Sequence, residues 1–311
     1  MQKRILVTGG AGFIGSHIAR RLMEQGHYVL ILDNLSTGSL ENLPKSCDFV
    51  KIDLGKPEEI EILSQYKIDV ILHLAGQSSG EASFDNPVYD FNSHVTSTFY
   101  LLRYALKSQI NRFIYASSMA TYGDPRYLPV DEAHPPSPKT FYGAGKISAE
   151  SYISLYHSLG IDTTCFRMFN VYGPGQNLEN KKQGMISIYL SYLLENRQIV
   201  VKGSSERFRD FIYIDDVVDV WIGSLFNPIT YGETYNLATG IKTCVRDIVL
   251  ELIKAFGYKD YPVIYQDPTP GDQFGLVADV TKLKNDLKWS PQFELARGIR
   301  LTVEYELQRR L

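Results

Sequence analysis

Thr8-Gly9-Gly10-Ala11-Gly12-Phe13-Ile14-Gly15-Ser16-His17 follows the apolar run Arg4-Ile5-Leu6-Val7 and leads into a helical pattern through Ile18, Leu22 and Met23. The order reads as strand, glycine turn, helix. Gly10, Gly12 and Gly15 fit G-x-G-x-x-G, while Gly9, Gly12 and Gly15 fit G-x-x-G-x-x-G. In either register, missing side chains let the backbone approach a pyrophosphate, whose charge rests at the positive end of the helix. A glycine motif alone is also an ordinary tight turn, so its context decides. A second apolar run, Tyr28-Val29-Leu30-Ile31-Leu32, ends at Asp33, about 20 residues past the glycines, where an acid accepts hydrogen bonds from an adenosine ribose. An acid there repels the extra phosphate of NADP. The predicted cofactor is therefore NAD, with Asn34 alongside Asp33.

Further strands are predicted at Phe49 to Ile52, Asp69 to Leu74, Arg112 to Ala116 and Thr163 to Arg167, with helical patterns between them. Such alternation predicts an α/β fold with a doubly wound parallel Rossmann sheet. The ligand site then lies beyond the carboxyl ends of the strands, where Asp53-Leu54, Leu74-Ala75-Gly76 and Ser117-Ser118 fall. From Val171 to Glu206 the chain is richer in Gly, Pro, Asn and Lys, as in an irregular substrate-side lobe. Residues 1–170 are expected to form the NAD-binding Rossmann domain, with some later segments returning to it. Residues 171–311 are expected to form mainly a smaller C-terminal α/β substrate-binding lobe. Phe211 to Ile214 reads as a strand leading into Asp215-Asp216, one of which is expected to cap the next helix. Leu250 to Phe256 and Leu295 to Leu307 read as amphipathic helices.

At 311 residues, 44% hydrophobic and 22% charged, the chain is long enough for a full core. A net charge of −3 and the lack of a Lys/Arg run interleaved with aromatics argue against a nucleic-acid partner. No apolar stretch approaches the roughly 20 residues of a membrane span, and the first strand runs into the glycine turn where a signal peptide would have its core. A cytoplasmic protein with no membrane partner is expected. The three cysteines, Cys47, Cys165 and Cys244, suit neither a disulfide framework nor zinc spacing and read as buried thiols. The six histidines are scattered, and no metal site is expected.

Tyr142 and Lys146 stand four positions apart in a helix-forming stretch, so both emerge on one face. A free tyrosine ionises near pH ~10, and a fixed cation beside it is expected to favour the phenolate. Taken alone, the spacing also fits a surface helix with a snorkelling lysine.

Together these stretches resemble the extended short-chain dehydrogenase/reductase family, and within it the nucleotide-sugar epimerases and dehydratases. The likeness covers nearly the whole chain: Thr8 to Gly15, Asp33-Asn34, His73-Leu-Ala-Gly76, Ser117 to Gly123, Tyr142-x-x-x-Lys146, Arg167 to Pro174, Arg209 to Asp216 and Pro270-Gly-Asp272 occur in family order. The resemblance implies that Tyr142 is the base, that Lys146 tunes it and binds the nicotinamide ribose, and that Ser118 hydrogen-bonds the reacting hydroxyl. It implies cofactor contacts at Gly9, Gly12, Phe13, Ile14, Gly15, Asp33, Asn34, Asp53, Leu54, Leu74, Ala75, Gly76 and Phe169. Substrate contacts are implied at Ser118, Asn170, Val200, Lys202, Arg209 and Asp272. A homodimer formed by the helices after Ser93 and around Tyr142 is also implied.

The implied reaction is NAD-dependent 4-epimerisation of a nucleotide sugar, by transient oxidation and re-reduction at C4. Related 4,6-dehydratases carry an Asp-Glu pair just after their serine or threonine, and related UDP-glucuronate decarboxylases carry a glutamate there. This chain has Met119-Ala120, which move no proton. Gly175 stands where uronic-acid enzymes of the family have an arginine, so a neutral sugar is expected. UDP-glucose and UDP-galactose are the expected pair, with the N-acetylated pair also open; Leu276 matches the position that gates the acetamido group, although it also reads as lobe core. Three departures stand out: Thr269 in place of a phosphate-binding arginine whose role Arg207 could take, His94 in place of an asparagine, and Ser78 in place of a lysine. The alternatives are a net oxidoreductase, such as a keto-sugar reductase, and a non-catalytic NAD-sensing protein.

Overall fold

The computed structural model describes residues 2–268 and 273–310. Its strands are β1 (Arg4–Thr8), β2 (Tyr28–Asp33), β3 (Asp48–Lys51), β4 (Val70–His73), β5 (Arg112–Ser118), β6 (Asp162–Met168), β7 (Asn170–Tyr172), β8 (Ile199–Lys202), β9 (Phe208–Arg209), β10 (Phe211–Tyr213), β11 (Glu233–Leu237), β12 (Thr243–Cys244) and β13 (Val263–Gln266). The α-helices are α1 (Phe13–Glu24), α2 (Pro87–Phe91), α3 (Ser97–Lys107), α4 (Phe141–Ser158), α5 (Met185–Leu194), α6 (Ile214–Ser224), α7 (Val245–Ala255), α8 (Thr281–Leu287) and α9 (Leu295–Arg309).

Seven strands make one parallel sheet in the order β11-β6-β5-β4-β1-β2-β3. The register runs Leu6 opposite Leu30 on one side and Ile71 on the other. Alternate residues leave the sheet on opposite faces. Thus Ile5, Val7 and Ile31 pack into one core with α1 and α6, and Leu6, Leu30 and Ile71 into a second with α3 and α4. Because both faces are covered, β4 and β5 are buried along their full length, which is why these segments read as apolar runs. The chain order reverses between β1 and β4, the switch point at which such sheets take ligands.

Two strand pairs, β8 with β13 and β9 with β12, build the smaller lobe together with α5 and α7, and β7 and β10 join as a third pair. From late in the sequence, β11 returns to the edge of the main sheet beside β6.

Several local expectations need correction. Residues Pro57–Gln65 wind as a 3₁₀ helix, short of a regular α-helix. Neither Asp215 nor Asp216 caps α6: Tyr213 occupies the N-cap, and Asp216 is buried with its carboxylate accepting from the Gln292 and Phe293 amides. Only Cys165 is a fully buried thiol; Cys47 and Cys244 are partly exposed. No helix among the described residues is long and apolar enough to cross a membrane, and none of their His, Cys, Asp and Glu side chains cluster as metal ligands.

Candidate active site

A cavity of about 870 Å³ opens at the carboxyl ends of β1, β2, β4, β5 and β6 and runs toward the smaller lobe. Its volume lies in the range of small-molecule and cofactor sites. At one end it is floored by the glycine turn. Gly9 takes φ +70°, and a Cβ there would come within 2.7 Å of the Ala75 backbone nitrogen; a Cβ on Gly15 would meet the Gly9 carbonyl at 2.2 Å. The register facing the cavity is therefore Gly9, Gly12, Gly15, whereas Gly10 faces Ile31 and makes room for core. Gly12 is the N-cap of α1 and offers no side-chain cap, so the first-turn amides are directed at whatever fills the turn. This cradle fits an anionic pyrophosphate.

Asp33, at the end of β2, is buried, and burial pushes its carboxyl up while its hydrogen bonds oppose the shift. Its two oxygens accept from the amides of Ala11 (3.0 Å) and Leu35 (2.8 Å), so it also ties the glycine turn to the loop after β2. Phe13, Ile14, Asn34, Asp53, Leu54, Leu74, Ala75, Gly76 and Phe169 all line the same cavity.

At the other end stand Ser118, Tyr142 and Lys146. Thr140 caps α4 by accepting from the Gly143 amide at 3.0 Å, and the helix then carries Tyr142 and Lys146 on its inner face. The Lys146 ammonium donates to the Ala116 carbonyl at 2.7 Å and lies 4.9 Å from the Tyr115 ring centroid and 5.7 Å from that of Tyr142. The charge relationship differs from the sequence expectation. Burial dominates both groups, pushing Tyr142 up to about 12 and Lys146 down to about 7. The Ser118 hydroxyl, facing Tyr142, works against that rise. Ser118 also accepts from the Ala120 amide, which fixes the turn at the end of β5.

Toward the lobe, Asn170 and Arg209 line the cavity. Asn170 donates to the Asp210 carbonyl. Arg209 is buried and donates to the carbonyls of Phe208, Phe274 and Gln273. Asp210 is occupied elsewhere, accepting from Thr239, Gly240 and Ala278. Val200 and Lys202 do not line the cavity: they sit on β8 beside β13, and the Lys202 ammonium turns toward Glu81 at 3.8 Å. Thr269 and Asp272, with Pro270 and Gly271, lie outside the described residues. Leu276 is core, fully buried with Tyr122, Phe169 and Ala278, so Met119 and Phe169 form the apolar wall at that place. Ser78 donates to Gln183 at 2.8 Å, and Gly175 lines the cavity.

Sequence reasoning missed Gln77, Tyr89, Thr140 and Gln183, all of which line the cavity. Gln77 and Thr140 adjoin recognised motifs. Tyr89 and Gln183 lie on separate segments that only the tertiary fold brings over the site.

The profile of the NAD dependent epimerase/dehydratase family matches residues 5–238. The UDP-glucose 4-epimerase of Mycolicibacterium smegmatis is 35% identical over 97% of this chain and 98% of its own. Among solved structures, the UDP-glucose 4-epimerase of Thermotoga maritima with UDP-glucose superposes with a TM-score of 0.94 at 33% identity, covering 99% of this chain and 100% of that one. The UDP-glucose 4-epimerase of Thermus thermophilus in complex with NAD gives 0.90 at 32% identity, covering 97% and 98%.

Proposed function

This chain belongs to the NAD dependent epimerase/dehydratase family, and from that membership we propose that it is an NAD-dependent UDP-hexose 4-epimerase, interconverting UDP-glucose and UDP-galactose. The observation that carries this reading is the meeting of Ser118, Tyr142 and Lys146 at one end of a dinucleotide cradle, beside Met119 and Ala120, which have no proton to move. Elimination and decarboxylation both need a further acid or base next to Ser118.

Gly9, Gly12 and Gly15 would hold the pyrophosphate of NAD, Asp33 the adenosine ribose, and Lys146 the nicotinamide ribose. Bound there, NAD supplies reversible oxidation at the sugar carbon. Tyr142 takes the proton of the C4 hydroxyl and later returns it, while Ser118 holds that hydroxyl in line. Asn170 and Arg209 face the substrate diphosphate, with Arg209 suited to it by its planar donors. Val200, Lys202 and Asp272 would complete the nucleotide subsite, and for Lys202 this requires release from Glu81. Residues 1–170 serve the cofactor and 171–311 mainly the substrate.

The test is to incubate the purified protein, without added cofactor, with UDP-glucose, UDP-N-acetylglucosamine and UDP-glucuronate separately and identify products by NMR. UDP-galactose should form, with deuterium at C4 retained through repeated interconversion. No product in that assay, with turnover only in a parallel assay where added NADH is consumed in proportion to product, makes the protein a net reductase and ends this assignment. Replacing Asp33 by alanine should weaken NAD retention by about tenfold or more, the scale of one lost hydrogen bond to a charged group. Bound NAD after dialysis is the readout, and equal retention would remove Asp33 from the cofactor site.

We also propose a homodimer through α3 and α4. Leu155 and Leu159 are about three-fifths exposed, and Leu106 and Tyr152 add to the same helices' outer face. Apolar surface so grouped marks an interface. Sedimentation should give twice the chain mass, and Leu155→Glu should shift it toward monomer; a monomeric wild type would exclude this assembly. Free thiols at Cys47, Cys165 and Cys244 suit a cytoplasmic location.

A further inference from the structure

Asp90 and His94 have no part in the chemistry above, yet both are buried against it. Asp90 lies in α2, and His94 in the π-helical turn Asn92–Thr96 that joins α2 to α3. Each is 1% exposed, with Asp90 Oδ1 3.6 Å from His94 Nε2. Neither carboxylate oxygen and neither ring nitrogen has a hydrogen-bond partner among the described residues; the Gln77 backbone faces the ring and only weakly favours its protonation. The imidazole meets the Tyr142 ring edge-on, with centroids 5.2 Å apart. Its space is kept by two glycines: a Cβ on Gly76 would come within 2.6 Å of His94 Cε1, and one on Gly145 within 3.1 Å of its Cβ.

Buried polar groups without partners lower stability, so retaining a carboxylate and an imidazole here calls for a compensating use. The charged and titratable groups around this pair and the Lys146 ammonium beside it come from three elements. From β4 comes His73, held by Thr8 and Thr98. From β5 comes Tyr115. From α4 come Tyr142, Lys146 and Glu150, the last engaged by Arg167 and Ser117. Asp90 is thus the nearby carboxylate that neither an arginine nor a hydrogen bond has already claimed.

We propose that Asp90 is the buried counter-charge of Lys146, and that His94 is a neutral spacer setting the distance between that charge and the ring of Tyr142. Both are positioning residues for the proton acceptor, and the inference rests on the epimerase reading only for its kinetic consequence. The electrostatics agree in sign. Burial pulls Lys146 down, and Asp90 is the foremost group opposing that pull, ahead of Glu150. Burial pushes Asp90 up to about 6, with Lys146 opposing. Burial, then Lys146 and His73, hold His94 well below its ordinary value, hence neutral at pH 7.

The test is Asp90→Asn, which keeps shape and removes charge. In the full-length protein as purified, with ¹³Cε-labelled lysine and the Lys146 resonance assigned through Lys146→Arg, NMR should show the Lys146 titration midpoint falling by about one unit, the usual scale for losing one nearby opposite charge. The alkaline limb of kcat for UDP-glucose should move to lower pH with it, KM changing little. The midpoint of thermal unfolding at pH 8 should hold or rise, because a raised carboxyl pKa means that ionised Asp90 opposes folding above pH about 6. An unchanged Lys146 midpoint overturns the proposal, whatever happens to kcat. His94→Asn should lower kcat yet leave the Lys146 midpoint in place; a midpoint shift there would show that the imidazole carries charge. If wild type proves not to epimerise, the Lys146 shift still reports on Asp90 independently.

Discussion

Replacing Tyr142 by phenylalanine is expected to lower kcat about 10²- to 10⁴-fold, the range for loss of a positioned acid/base, with NAD content and thermal unfolding near those of wild type. The change removes one oxygen. The phenyl ring keeps its edge contact with His94 and its place beside Lys146, so the walls of the cavity stay where they are. KM should move little, because the lost interaction is with a proton in transfer and not with the ground-state diphosphate that Asn170 and Arg209 are proposed to hold. The tyrosine of the free protein is pushed up to about 12 by burial, so the neutral phenol dominates at pH 7 until the site is filled. A bound cofactor and a charged Lys146 must together reverse that effect for the base to act. Turnover in Tyr142→Phe within threefold of wild type would mean that another group takes the proton, and the assignment of the base fails.

The parts of this site that were legible in the sequence are those set by local spacing. The glycine turn, the acid at the end of β2 and the Tyr142 to Lys146 interval each follow from helix and strand periods, and the structure puts all of them on one cavity. The parts that were not legible depend on what packs behind. A four-residue spacing places a lysine beside a tyrosine but carries no information on how deeply both are covered, and it is covering that sets their ionisation here. Lys202 sits on a strand whose neighbour, β13, lies more than sixty residues later in the chain, and its ammonium lies 3.8 Å from Glu81, which the segment after β4 supplies. Asp90 and His94 stand four residues apart, an interval that carries no meaning in the sequence alone. Its meaning required Gly76 and Gly145 to be seen emptied for the imidazole.

Removing Arg167 should cost the fold about 3–5 kcal/mol, the scale for stripping one partner from a buried ion pair. Arg167 and Glu150 are 6% and 7% exposed. The guanidinium meets the carboxylate with Nη2 to Oε2 at 2.7 Å and Nε to Oε1 at 3.0 Å, and its remaining nitrogen donates to the Tyr122 hydroxyl and the Glu132 carbonyl. In Arg167→Met the Glu150 carboxylate keeps only the Ser117 hydroxyl in a pocket built for an ion pair. The expected result is a large fall in the denaturant midpoint at pH 7.5. The double variant Arg167→Met, Glu150→Leu should recover much of the loss, since an apolar pair of similar volume no longer buries a lone charge. Function enters through geometry: Glu150 lies one helical turn beyond Lys146 and already favours its charged form. Freed from Arg167, that carboxylate should draw Lys146 away from the Ala116 carbonyl, so kcat falls further than the loss of folded protein explains. Equal midpoints for Arg167→Met and wild type would show that the pair contributes nothing to the fold, and a kcat per folded molecule equal to wild type would show that Lys146 does not respond to it.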